Sequence, residues 1–540
     1  MATATVTREE ESAPEPQQPV SVAQEREPPH KWLIAGSVML GTIMAVLDTS
    51  IVNVALADMS GTLGATIEQI TWVVTGYMLS NVLVMPIIGM LSQRFGRKNL
   101  YLVSLAIFTL ASMLCGLARS LETMVLVRAF QGIGGGVLMT VAQAILRETF
   151  PPQEQGLAMG IFGMGVVLAP AFGPTLGGWI TDKYSWPWIF YINVPIGIIN
   201  YLLVQRYVED PHYLVRDTGS IDWAGLALMI TGLGAIQLML EEGARNDWFS
   251  SAFIIRLTAI GVLGLVLFVW RELKTDRPAV DLRIMKNTAF SSATLIGGAL
   301  GMGLLGSIFL LPLFFQNILR FNAMQSGIAL MPRSLAMAVL MPIGGKLYNR
   351  LGPRKMVSAG LMASALSFVW IAHMTVDTGF WDIFWPQVLQ GAGFSFVFVA
   401  LTTAALASIP KPKITAASGL YNVVRTVFGS IGIALAASQL TTHTAINKAV
   451  LAEKAGMTNP TATAWVAQAT AGLAQRTGTD VYTARLRALR LLDGSITRQA
   501  VVLSINEVFV LIAILFAFSL PLVLLLRAGS HEGPAEIAAE

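Results

Sequence analysis

Residues 32–56 read WLIAGSVMLGTIMAVLDTSIVNVAL, an apolar run interrupted by one charge, Asp48. A helix needs about 20 apolar residues to cross the hydrocarbon core of a bilayer, so such a run has few alternatives to a transmembrane span. Similar runs follow at 70–91, 99–118, 122–146, 156–181, 188–206, 221–240, 252–270, 289–315, 326–347, 355–373, 383–408, 415–440 and 500–526. Gly, Pro and charged residues punctuate them. The bilayer core offers no water to the backbone, so open spanning segments must be helical. The expected fold class is an all-α polytopic membrane protein with fourteen transmembrane helices. Charged residues are only 13% of the chain, against about 25% in soluble domains, which agrees.

Positive charge in short loops sets the orientation of such a chain. Arg94, Arg97 and Lys98 share one loop; Arg271, Lys274, Arg277, Arg283 and Lys286 mark another. Lys346, Arg350, Arg354 and Lys355, then Lys411 and Lys413, mark two more. The intervening short loops offer little beyond Arg119, Lys183, Arg245 and Arg320. Both termini are therefore expected on the cytoplasmic side. No cleavable signal peptide is expected, and the Pro-, Glu- and Gln-rich residues 1–31 read as a disordered cytoplasmic tail. The lone Cys115 cannot form an intrachain disulfide, and no Cys/His spacing suggests a metal site. The histidines at 30, 212, 373, 443 and 531 do not cluster, and the spans show no nucleophile and base pair. No Gly-x4-Gly-Lys-Ser/Thr loop occurs, which argues against ATP hydrolysis. The expectation is a non-enzyme without cofactors, with no nucleic-acid partner.

An internal repeat underlies the spans. Gly89-Met-Leu-Ser-Gln-Arg-Phe-Gly-Arg-Lys98 and Gly345-Lys-Leu-Tyr-Asn-Arg-Leu-Gly-Pro-Arg354 share Gly, Leu, Arg and Gly at one spacing, 256 residues apart. Gln131-Gly-Ile-Gly134 and Gln390-Gly-Ala-Gly393 echo each other at 259 residues. Both echoes shift the span number by eight, which predicts six helices, two extra ones, then six. The expected domains are 32–206, a first six-helix bundle; 207–288, the extra pair with its loops; and 289–526, a second bundle. The second contains a long external segment, 441–499, and 527–540 is a short cytoplasmic tail. Within 441–499, residues 482–492 read as an amphipathic helix. Parallel halves around a midplane site mark one large class of secondary transporter.

Charges inside spans are the first functional candidates. Asp48 lies about 24 Å along its helix at ~1.5 Å per residue, a depth costing ~2.5–3.5 kcal/mol on insertion scales. Arg128 sits about 9 Å into span four, at a depth similar to that of Asp48 measured from the same side. The two are positioned to pair or to share a cavity. A guanidinium beside a carboxylate favours its charged form and desolvation favours the neutral one, so motion between them would change proton affinity. The competing readings are a structural Asp bonded to a neighbouring helix and an Arg that snorkels to the interface. In the repeat, Arg128 aligns with neutral Gln387, and Asp48 with Gly306 and Ser307. The second half then supplies mainly walls, with Phe309, Phe314, Phe315, Phe394, Phe396 and Phe398 and the polar points Gln316 and Asn422 as substrate candidates. Arg425 and Glu507 are further intramembrane charges, Glu507 being a candidate for proton coupling.

Four motifs carry a resemblance to a known family. Leu47-Asp-Thr-Ser-Ile-Val-Asn-Val-Ala-Leu56, the loop from Gly89 to Lys98, Leu126-Val-Arg-Ala-Phe-Gln-Gly-Ile-Gly-Gly135 and Ala169-Pro-Ala-Phe-Gly-Pro-Thr-Leu-Gly-Gly178 fall in the right order on the right spans. Together they resemble the major facilitator superfamily, and more narrowly its fourteen-span drug:proton antiporters of the EmrB/QacA type, over residues 32–527. The resemblance implies the major facilitator fold in the cytoplasmic (inner) membrane. It further implies efflux of amphipathic, often cationic compounds driven by protons, with Arg128 tied to coupling. Gly89, Arg94, Gly96, Arg97, Gly345 and Arg350 would form the inner gate. Pro170, Gly173, Pro174 and Gly177 would make a bent, tightly packed fifth helix that seals the cavity. In Gram-negative cells the resemblance implies a periplasmic adaptor and an outer-membrane channel as partners. The alternative reading is a proton-coupled uptake symporter for a nutrient, which the Pro170 to Gly178 signature disfavours. One departure stands out: the loop motif usually has Asp at its fifth position, where this chain has Gln93 and, in the second copy, Asn349.

Overall fold

The computed structural model describes residues 30–211, 219–456 and 459–526. Apart from His30 and Lys31, the terminal tails expected from the sequence lie outside the described residues. The regular elements among the described residues are all helical. They are α1 (Lys31–Leu63), α2 (Glu68–Phe95), α3 (Arg97–Leu117), α4 (Leu121–Thr149), α5 (Gln155–Lys183), α6 (Trp188–Tyr207), α7 (Trp223–Glu242), α8 (Ala252–Lys274) and α9 (Thr288–Ile318). A continuous run, Ala323–Ile371, divides at Gly352 into α10 (residues 323–351) and α11 (residues 353–371). The chain continues with α12 (Phe380–Ala407), α13 (Ile414–Lys454) and α14 (Val481–Ser519). Thirteen helices among the described residues are long and apolar enough to cross a membrane. Dividing the longest at Gly352 brings the number to the fourteen read from the sequence.

Local chemistry sets the helix boundaries. Thr66 and Gln69 form a reciprocal capping box ahead of α2, and Asn322 and Gln325 form another ahead of α10. Asn287 accepts from the N–H groups of Ala289 and Phe290 to open α9. At two places the backbone itself enforces a break. Gly96 has φ 83° and ψ 159°, and Gly352 has φ 73° and ψ 165°. Glycine alone adopts that conformation cheaply. The two positions are 256 residues apart, and each separates two spans. A Cβ at Gly96 would run into the Asp210 carboxylate, which accepts from the Lys98 N–H at 2.8 Å and so caps α3.

The packing recurs eight helices later. α1 packs on α4, α5 and α6, and α9 packs on α12, α13 and α14; α3 packs on α4 and α6, and α11 on α12 and α14. Lipid tails provide no hydrophobic drive between helices, so close backbone approach through small residues carries much of this association. α7 and α8 pack on each other through Gly232 and Gly264, and α7 also touches α2 and α13. The outer faces carry large exposed apolar side chains, among them Leu110 and Leu117 on α3 and Leu263 and Val266 on α8. A continuous surface of that kind suits contact with lipid.

Two helices differ from the sequence expectation. α13 runs on to Lys454, where the span was expected to stop at 440, and α14 begins at Val481 rather than 500. A further helix, Pro460–Thr477, packs on α14, so the expected external segment 441–499 is helical nearly throughout. Apolarity marks where lipid is, but a helix ends only at a breaker or cap. The first ones after Ile414 are the Gly456 turn and the caps Asn459 and Asp480. α14 has 39 residues, or about 58 Å at ~1.5 Å per residue, roughly twice the hydrocarbon core.

Candidate functional site

Asp48 and Arg128 meet inside the first bundle. The Arg128 Nη1 donates to Asp48 Oδ2 at 2.5 Å, and both side chains are buried. α1 supplies the carboxylate because its spacing turns Asp48 inward, with Met44, Ala45, Ile51 and Val52 buried beside it. α4 supplies the guanidinium, and Gln131, three residues on, shares its face. Gln131 Nε2 donates to Asp48 Oδ1 at 3.0 Å and Gln131 Oε1 accepts from Arg128 at 2.8 Å. From α6, Asn193 Nδ2 donates to the same Asp48 Oδ1 at 3.0 Å and to Ser112 Oγ of α3 at 3.0 Å. Arg128 Nε donates to the Val73 carbonyl of α2 at 3.2 Å, and its guanidinium lies 4.3 Å from the Tyr77 ring centre. Five helices thus converge on one ion pair. The carboxylate accepts from three donors, which is what a desolvated charge requires. Snorkelling of Arg128 to the interface is excluded by its full burial.

This constellation sets one carboxylate and one guanidinium away from solvent among neutral hydrogen-bonding partners. Protonating Asp48 would remove the counter-ion of Arg128, while Gln131 Oε1 and the Val73 carbonyl would still accept from the guanidinium. Tyr77, Ser112, Gln131 and Asn193 are the members that sequence motifs did not mark as site residues. The available signal for Gln131 was its place one turn after Arg128.

The inner-gate candidates gather at one end, where the two bundles touch. A Cβ at Gly156 on α5 would lie 2.6 Å from the Gly345 carbonyl on α10, so the two backbones are in contact. A Cβ at Gly89 on α2 would collide with Ala416 on α13. Arg97 is buried in an ion pair with Glu148 at the end of α4, and its Nη2 donates across to the Lys411 carbonyl at 3.3 Å. Ser92 Oγ donates to Thr415 Oγ1 at 3.4 Å. In the second copy, Asn349 Nδ2 donates to the Gln153 carbonyl of the first half. Where the motif lacks its usual Asp, the amide of Asn349 makes a neutral tie. Arg94 Nη1 donates to the Gly219 carbonyl at 3.2 Å, and Arg350 is exposed.

On α5 the prolines at 170 and 174 lie within the helix, and its glycines divide the work. Gly156, Gly160 and Gly163 face α10 and Phe398, whereas Gly173 meets Ser50 and Gly177 meets Ile51 on α1. α5 therefore links the second bundle to the turn of α1 next to Asp48.

The substrate candidates separate. Asn422 is buried and donates to Gln143 Oε1 of α4 at 2.7 Å, and Ser418 Oγ donates to the same oxygen at 2.8 Å, so Asn422 ties the two bundles. Phe398 lies below Arg425, whose guanidinium is 5.4 Å from the ring centre. Gln316 is exposed and Phe309 half-buried near the π-helical turn Phe314–Ile318. Phe315 is buried against Phe314 and Phe321, and Phe394 against Phe368 and Phe516. The structure does not bring Glu507 to Asp48. Glu507 pairs with His443 and accepts from Asn447 at 3.3 Å, joining α14 to the extended part of α13. On α7, the buried Gln237 donates through Nε2 to the half-buried Glu241 Oε1 and to Ser430 Oγ of α13, both at 2.9 Å, a carboxylate contact at the seam that no motif indicated.

The family described as the Major Facilitator Superfamily matches residues 38–433. The multidrug export protein EmrB of Haemophilus influenzae is 35% identical over 486 residues, covering 90% of this chain and 93% of that protein. The fatty acid resistance protein FarB of Neisseria gonorrhoeae is 34% identical over 501 residues, covering 92% and 96%. The crystal structure of the human organic anion transporter MFSD10 aligns with a TM-score of 0.55 at 14% identity, covering 90% of this chain and 100% of that one. At that identity the likeness concerns the fold alone.

Proposed function

The chain belongs to the Major Facilitator Superfamily, among the Emr-type multidrug permeases, and on that premise we propose that it exports amphipathic, often cationic small molecules in exchange for protons. Export runs across the cytoplasmic membrane by alternating access of one central cavity. The working plan is six helices, two extra and six, with both termini cytoplasmic. The observation that carries this reading is the buried Asp48–Arg128 ion pair, on which five helices converge.

Proton arrival at Asp48 neutralises the carboxylate and loosens α1 from α4. α5 carries that change to the inner gate, since Gly173 and Gly177 seat it on α1 and Gly156 seats it on α10. The inner contacts at Gly89, Arg97, Gly345 and Asn349 then open and reclose as substrate and proton exchange. Phe398 and Asn422 lie where the bundles meet and are the best placed of the substrate candidates, with the intramembrane charge Arg425 beside Phe398. The relatives named for multidrug export and fatty acid resistance support amphipathic cargo. The helical projection formed by α13, Pro460–Thr477 and α14 is the surface available to a periplasmic adaptor and outer-membrane channel.

The test is uptake of a lipophilic cation into proteoliposomes with an acidic lumen. Antiport predicts accumulation that a protonophore abolishes and that Asp48→Asn lacks. Accumulation indifferent to the protonophore would remove proton coupling from the account.

A further inference from the structure

The second bundle holds a buried cation that the Asp48 site does not use. Arg333 on α10 is 5% exposed and lies about 16 Å along the helix from its cap Asn322, at ~1.5 Å per residue. Its Nη1 donates to Ser307 Oγ of α9 at 3.0 Å and to Gln390 Oε1 of α12 at 3.5 Å. Both acceptors are neutral. No ion pair to Arg333 occurs among the described residues. One turn before Gln390 on α12, Gln387 is fully buried with neither amide atom hydrogen-bonded, and Gln390 Nε2 is likewise without a partner.

The internal repeat shows what is missing. At the 259-residue offset, Asp48, Arg128 and Gln131 correspond to Ser307, Gln387 and Gln390. At the 256-residue offset of the paired glycines, Tyr77, whose ring faces Arg128, corresponds to Arg333. The second bundle carries its arginine on the counterpart of α2 rather than of α4 and has serine in place of the carboxylate. The first bundle neutralises its buried guanidinium internally, and the second leaves it without a counter-ion. An isolated buried charge costs several kcal/mol and unpartnered buried amides add to it, so a bound anion would relieve both.

We propose that Arg333, Ser307, Gln387 and Gln390 form a binding site for one anionic group, either a free halide or the carboxylate of an amphipathic molecule. Arg333 supplies the charge, and the amide nitrogens of Gln387 and Gln390 supply donors that have no other partner. Ser307 and Gln390 Oε1 hold the guanidinium in place when the anion leaves. The carboxylate source rests on the export reading above, whereas anion binding itself does not.

The test is thermal unfolding of the purified full-length protein at constant ionic strength. One series exchanges isethionate for chloride or bromide, and a second adds decanoate against decanol as the uncharged control. The wild type is expected to show saturable stabilisation by halide, by decanoate, or by both, and the series that responds identifies the source. Arg333→Gln should weaken the response at least about tenfold, the loss of a charged hydrogen-bonding partner, yet unfold no earlier than wild type in isethionate, because an unpaired charge has been removed. Ser307→Asp restores an internal carboxylate at the position matching Asp48. It should stabilise the protein without anion and abolish the response. It also keeps the question decidable if Arg333→Gln does not fold. A wild type indifferent to every anion, or a response unchanged in both variants, overturns the proposal. Anion binding without drug transport would leave the site standing and sink the export reading instead.

Discussion

Asp48→Asn keeps the shape of the side chain and removes its charge, so it isolates what the ion pair does. In the wild type the two carboxylate oxygens accept from Arg128 at 2.5 Å, Gln131 at 3.0 Å and Asn193 at 3.0 Å. The asparagine oxygen can replace only part of this, and its NH2 group must face donors. Arg128 keeps Gln131 Oε1 and the Val73 carbonyl but loses its counter-ion. Removing one partner of a buried pair costs about 3–5 kcal/mol. The double variant Asp48→Asn/Arg128→Gln removes both charges, and replacement of a whole buried pair is often near neutral. Thermal unfolding of purified protein should therefore rank the single variant well below wild type and the double variant close to wild type. Proton-coupled uptake should be lost in both. The reasoning fails if the single variant is as stable as wild type, or if the double variant is no more stable than the single one.

Three further substitutions probe the gate and the extra helices. Gly345→Val puts a branched side chain into the contact with Gly156, so the inner end should fail to close; a cysteine placed on α10 beside it should label faster from the cytoplasmic side, and an unchanged rate would count against the seal. Arg97→Gln strips Glu148 of its buried ion-pair partner and the Lys411 carbonyl of a donor that crosses between halves; we expect lower thermal stability and impaired uptake, with Glu148→Gln in the same background recovering part of the stability. Asp222 caps α7 and receives bidentate hydrogen bonds from Arg271, which hold its carboxyl below the usual carboxylate range. A carboxyl depressed on folding stabilises above its unfolded pKa, and that stability is lost as pH falls through the folded value. The unfolding difference between wild type and Asp222→Asn should therefore persist at neutral pH and fade below the ordinary carboxylate range of about 4.

Much of the architecture was legible because lipid imposes a strong rule on composition. The fourteen spans follow from apolar runs, and the repeat from Gly89 and Gly345 reappears as matched breaks at Gly96 and Gly352. Asp48 and Arg128 were conspicuous because charges within spans are rare. The neutral residues around them were not. Tyr77, Ser112 and Asn193 are ordinary in transmembrane helices, and only the convergence of α2, α3 and α6 gives them a role. Arg333 is the one charge in the interior of 326–347, Lys346 lying at the end of that run, and carried a signal at the level of composition, but it belongs to no motif. The aromatic candidates show the limit most clearly. Spacing places Phe394 on a helix face without saying what that face meets, and it meets Phe368 and Phe516. The ends of α13 and α14 were missed because hydropathy reports the solvent around a helix rather than its termination.

The central claim is that Asp48 carries the proton that substrate displaces. Its most direct test is proton release from purified protein in weakly buffered detergent on addition of a lipophilic cation, followed with a pH indicator. With Asp48 first protonated by acidification, the wild type should release protons saturably with substrate, and Asp48→Asn should bind the same compound and release none. Equal release from Asp48→Asn would place the exchangeable proton elsewhere and contradict the account.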